Sequence, residues 1–87
     1  MKHYKEKQIA ENTFVREFES GIDYPWHRDP EDRVVEVMSV QLGWKFQKDN
    51  ELPITLYNGL CIDIKKNVFH RIIPGNSRLI LKVTKLI

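Results

Sequence analysis

The chain has 87 residues, of which 41% are hydrophobic and 30% charged, and a formal net charge of +2. That suffices for one domain with a single core. It excludes a membrane span, which needs an apolar run of roughly 18 residues, and it lacks the clustered basic charge of a nucleic-acid binder. The single cysteine, Cys61, cannot form an internal disulfide, and the basic start lacks the apolar stretch of a secretory signal, so a cytoplasmic setting is expected.

Residues 1–12, "MKHYKEKQIAEN", are polar nearly all round and carry no helical stripe. They are expected as a polar N-terminal arm outside a single domain of residues 13–87, with His3 a bystander in that arm. From there the pattern has a period near two. "TFVREFE" sets Phe14, Arg16 and Phe18 against Val15 and Glu17, "RVVEVMSVQL" is rich in valine, and "LILKV" places Leu79, Leu81 and Val83 on one side. Turn chemistry separates the runs at residues 49–51, 58–59, 65–67 and 74–76, with Asn58-Gly59 the strongest hairpin signal. About eight short strands at this spacing predict an all-β sandwich or barrel. Cys61, between Leu60 and Ile62, is expected as a small packing residue. Leu86 and Ile87 end the chain apolar, and two readings stand equal: another subunit covers them, or they tuck beneath the barrel.

The stretch "GIDYPWHRDPEDRVVEV" carries the candidate chemistry. On a strand covering residues 25–29, His27 and Asp29 share a face, with Trp26 and Arg28 on the other. In "NVFHRII", His70 shares a face with Val68 and Ile72, which points it inward, where an imidazole needs partners for its nitrogens. Two imidazoles and a carboxylate converging inside a small barrel suit a non-haem divalent metal. By composition alone, "HRDPEDR" also fits a solvated turn knitted by Arg28, Asp29, Asp32 and Arg33. Trp26, Trp44 and Phe46 fit either a pocket mouth or plain core. Gln47, Asp49 and Glu51 are expected to face water beside a hairpin.

The spacing resembles the two motifs of the cupin superfamily, G-x5-H-x-H-x3-4-E-x6-G and G-x5-P-x-G-x2-H-x3-N. Gly21 stands six before His27, Asp29 takes the place of the second histidine, and Glu36 lies seven before Gly43. Gly59, Lys65, Asn67 and His70 align with the second motif without a gap, although Lys65, Asn67 and Pro74 replace its proline, glycine and asparagine. The interval from Asp29 to Glu36 is two to three residues longer than the motif, and without that insertion Arg33 would take the glutamate position.

The resemblance implies a jelly-roll β-barrel, a metal centre inside it and a homodimer. His27, Asp29 and His70 are the expected ligands, with Glu36 as a fourth ligand or general base. The expected ion is Fe(II), with Mn, Ni or Zn as alternatives. Arg33 is a candidate clamp for a substrate carboxylate or phosphate, set against a surface ion pair with Glu31 or Asp32, the slightly preferred reading. The function expected is a metal-dependent enzyme of dioxygenase, isomerase or lyase type acting on a small polar substrate. The alternative is a non-enzymatic module that binds a sugar or a protein partner and keeps a structural or vestigial metal site.

Overall fold

Alternation of apolar and polar residues resolves into strands throughout the computed structural model, which describes residues 4–87. His3 lies outside the described residues. The strands are β1 (Tyr4–Ala10), β2 (Thr13–Phe18), β3 (Asp32–Val40), β4 (Lys45–Lys48), β5 (Ile54–Thr55), β6 (Cys61–Ile64), β7 (His70–Ile73) and β8 (Leu79–Leu86), with no helix among the described residues. They form a five-stranded sheet in the order β1-β2-β8-β3-β6 and a three-stranded sheet in the order β5-β4-β7, both antiparallel. The architecture is all-β and of the jelly-roll class.

One core serves both sheets. Leu79, Leu81 and Val83 of β8 are buried, as their alternation predicts, and they meet Val35 and Val37 of β3 and Ile62 and Ile64 of β6. The small sheet contributes Phe46, and Trp44 just before β4 is fully enclosed. Each such aliphatic side chain contributes about 1.5–3 kcal/mol on full burial, so β8, central in the large sheet, is the main apolar spine.

Several expectations need correction. The stretch read as a polar arm forms β1 from Tyr4 onward, paired with β2 from Tyr4↔Phe18 to Ala10↔Thr13. Its polarity reflects an edge position with one face to water, and Tyr4 still packs on the core, its ring centroid 5.0 Å from that of Phe18. Asn58-Gly59 does not close a hairpin. It turns the chain from β5 in the small sheet to β6 in the large one, and only Gly59 has positive φ (90°), with Leu60 N–H donating to Tyr57 O at 3.1 Å. That is the geometry of a type II turn, and the Asn58 side chain instead accepts from Val40 N–H at 2.8 Å. Cys61 is exposed, because the alternation of β6 turns Ile62 and Ile64 inward. Leu86 and Ile87 do not tuck under the sheets: they are 50% and 91% exposed.

Gly75 marks a tight backbone approach. A Cβ there would lie 2.3 Å from Trp44 N and 2.4 Å from Gly43 C. The same crossing lets Asn76 N–H donate to Leu42 O at 3.1 Å, while Asn76 O accepts from the indole Nε1–H of Trp44 at 2.9 Å. Gly75→Ala is expected to cost about 1–3 kcal/mol through overpacking against backbone, read as a lower urea midpoint at unchanged slope.

Candidate metal centre

Two prolines hold the His27 stretch extended. Tyr24 and Asp29 each precede a proline, which disfavours helical backbone at both. The stretch is not the strand expected from residue 25 to 29 but an extended crossing fastened by one isolated bridge. His27 N–H donates to His70 O at 3.0 Å, and His70 N–H donates to His27 O at 2.9 Å. Two further bonds extend the seam. Asn67, in the left-handed region at φ 64°, donates its N–H to Asp29 O at 2.7 Å, and Lys66 N–H donates to the Asp32 carboxylate at 2.7 Å.

This seam sets the two imidazoles beside each other, edge to face, with ring centroids 4.3 Å apart. His70 Nδ1 lies 2.8 Å from Val68 O and His27 Nδ1 lies 3.2 Å from Pro25 O. A carbonyl can only accept, so each neutral ring carries its proton on Nδ1 and keeps a free lone pair on Nε2. That Nε2 of His70 sits 3.3 Å from Asp29 Oδ2.

Asp29 and His70 are only 8% and 4% exposed, whereas His27 is open to solvent. Asp29 Oδ1 faces the guanidinium of Arg33, 3.3 Å from Nη1, but Oδ2 is buried with no hydrogen-bond partner. Burial pushes the Asp29 carboxyl up, yet the His70 imidazole and the Arg33 and His27 charges outweigh it and hold it below its ordinary value. Burial pushes the His27 imidazole down, helped by the charges on His70 and Arg33 and opposed by its bond to Pro25 O. Both groups are therefore unprotonated at neutral pH. One ligand atom each from His27, Asp29 and His70 falls within 4.8 Å of the others, so the three can hold one metal ion. Ligand atoms about 2.1 Å from one ion lie roughly 3–4.2 Å apart, so the Asp29–His70 pair already fits and a modest inward turn of His27 completes the set.

These side chains open onto a cavity of about 310 Å³ between the sheets. Glu36, expected as a fourth ligand or base, is not in it. Along β3, Arg33, Val35 and Val37 face inward, so Glu36 faces outward, where its Oε1 lies 3.3 Å from Lys82 Nζ. Arg33 lines the cavity, and it also makes the expected ion pair with Glu31, through Nη2 at 2.9 Å and Nε at 3.2 Å. Trp44 is core and Phe46 lines the cavity, its ring centroid 5.7 Å from that of His70. Trp26 is on the outside, beneath the Arg71 guanidinium at 4.8 Å.

Tyr4, Arg16 and Tyr24 also line the cavity, and the sequence reading did not single them out as site residues. Arg16 had a signal: it shares a face with Phe18, so an inward Phe18 takes the arginine in with it.

No family model and no curated protein matches the chain. Solved structures do. The DMSP lyase DddQ from Ruegeria pomeroyi superposes with a TM-score of 0.76 at 16% identity, over 84% of this chain and 36% of the lyase. A cupin-2 domain containing protein from Shewanella frigidimarina gives 0.71 at 21% identity, over 99% of this chain and 84% of that one. The Fe(II) form of HppE gives 0.71 at 9% identity, over 85% and 41%. This chain spans about a third of the lyase's length, and identities this low carry the fold alone. With its two antiparallel sheets and interior His/Asp cluster, the chain has the cupin fold.

Proposed function

We propose that the cavity holds a divalent metal on His27, Asp29 and His70 and that the protein is a metal-dependent enzyme acting on a small substrate. The observation that carries this reading is the buried Asp29 Oδ2, which lacks a hydrogen-bond partner and faces the lone pair of His70 Nε2 at 3.3 Å. With Nε2 unprotonated, two acceptors turn on one point inside the protein and repel each other, and a metal ion in place of the proton the pair would otherwise share removes the cost. Two imidazoles and one carboxylate leave positions open on an octahedral ion, the donor set suited to Fe(II) or Mn(II). A metal bound there supplies a Lewis acid that polarises a substrate oxygen.

The chain's own residues prepare that role. Val68 O and Pro25 O orient the two rings through Nδ1, and Arg33 keeps Asp29 ionised and fixed through Oδ1. His27, solvent-accessible and unprotonated at pH 7, keeps its lone pair ready for a metal ion entering from solvent. DddQ and HppE are named as a lyase and an iron protein, and these names favour an enzyme over a passive binding module.

Elemental analysis of anaerobically purified protein is expected to give about one equivalent of iron or manganese. His70→Ala should lower metal affinity by at least about tenfold while the circular dichroism stays that of a β-protein. A wild-type protein that takes up no metal after Fe(II) or Mn(II) is added back removes the proposed centre.

Acid should loosen the metal-free protein in two steps. His27 has a folded-state pKa below its ordinary 6.5, so the unfolded chain binds its proton more readily. Its contribution is complete above about pH 6.5 and is lost as pH falls toward the folded value. The same sign holds for Asp29, below its ordinary 3.8. Thermal unfolding of chelator-treated protein should show the upper step, and His27→Ala should flatten it.

A further inference from the structure

The guanidinium groups lining the cavity belong to Arg16 and Arg33, and they differ in what they have left to give. Arg33 donates Nε and Nη2 to Glu31 Oε1 and turns Nη1 to Asp29 Oδ1. Its fork is spent on holding Asp29. Arg16 donates Nε to Glu6 Oε2 at 2.6 Å and packs over the Tyr4 ring at 4.7 Å. Its two Nη amino groups make no hydrogen bond to any described residue, and neither is a sealed atom without a partner. Arg16 lines the cavity, so these groups lie beside it with donors to spare.

We propose that Arg16 is the anion-recognising residue of this cavity and that its ligand is a small monocarboxylate with an apolar body. A pair of free N–H groups on one planar guanidinium matches the two oxygens of a carboxylate. Glu6, in contact with Arg16, cancels part of its charge, which leaves enough for one negative charge and disfavours a phosphate dianion. The body of the ligand meets apolar wall. Phe18 and Tyr24 line it, packed edge to face with centroids 5.3 Å apart, and the Tyr24 hydroxyl donates to Glu19 O at 2.8 Å. Arg16 lies on the large sheet, and His70 on the small one, so a bound carboxylate directs the rest of the molecule toward the imidazoles. The inference rests on the metal-centre reading only for what happens at that other end.

The test is calorimetric titration of the purified chain, manganese-loaded and chelator-treated. The ligands are butyrate, benzoate and phenylacetate, their primary amides, and phenyl phosphate. Expected is binding of at least one carboxylate, with its amide weaker by about tenfold or more, and retention of that binding after metal removal. Arg16→Gln should weaken the carboxylate by a similar factor and leave manganese affinity unchanged. Glu6→Gln, which keeps Arg16 and removes the competing charge, should bind the carboxylate as tightly as wild type or more so. Equal binding of acid and amide, tighter binding of phenyl phosphate, full affinity in Arg16→Gln, or loss on metal removal each overturns the assignment, as does a wild type that binds none of the acids. If Arg16→Gln does not fold, the amide comparison and Glu6→Gln decide. Carboxylate binding without manganese binding sinks the metal centre and leaves Arg16 standing; the reverse sinks Arg16 alone.

Discussion

The reciprocal backbone hydrogen bonds between His27 and His70 are the constraint on which the site depends. Each is worth about 1 kcal/mol net, modest beside the burial of the core. Their effect is geometric. They draw the crossing between β2 and β3 against the start of β7 and so close one side of the space between the sheets. Opposed residues in an antiparallel bridge point their side chains the same way, so the bond that fastens the crossing also puts both imidazoles on one spot. Pro25 and Pro30 keep the backbone extended enough to make it, and Asn67 takes the left-handed conformation that lets Asp29 join the seam.

What the seam encloses is expensive. An unpaired buried oxygen costs about 1–3 kcal/mol, against a total stability of about 5–15 kcal/mol for an ordinary domain. Arg33 compensates the carboxylate only on its Oδ1 side, and Glu31 tethers Arg33 so that it cannot swing to the other oxygen. A fold built only for stability would gain by replacing the pair with apolar side chains. Retaining it, with both rings oriented by their Nδ1 bonds, is compatible with a group that can hold a cation.

Most of the sheet was legible because its period is strict. Leu79, Leu81 and Val83 could only be one face of a strand, and the inward turn of His70 followed from the apolar side chains around it. The grouping of His27, Asp29 and His70 was legible from spacing, since parity keeps residues two apart on one side even in an extended crossing that is not a regular strand. Glu36 was misread for the same reason in reverse. Motif spacing was stretched to reach it, while the alternation of Val35 and Val37 already placed it outside. β1 was missed because an edge strand with little to bury has the composition of a tail. The type II turn at Gly59 was missed because Asn-Gly reads locally as a hairpin, and the partners that make it a crossing between sheets lie far away in sequence.

The division of charge along β3 and β2 explains why the two cavity arginines have different work. Arg33 enters beside two carboxylates, Asp29 and Glu31, which engage its donors before any ligand arrives. Arg16 enters from a strand whose inward neighbours are apolar, and among the described residues its carboxylate partner is Glu6, on the neighbouring strand β1. The Glu6 carboxylate takes only the Nε donor, so the guanidinium keeps unused N–H groups beside the cavity it lines. Of the two cavity arginines, the one bonded to Asp29 is therefore structural, and the one that retains binding capacity comes from β2 of the same sheet, on the far side of β8 from Arg33. In a cavity walled mainly by aromatic and aliphatic side chains, that remaining capacity is the strongest attraction for an anion outside the metal cluster.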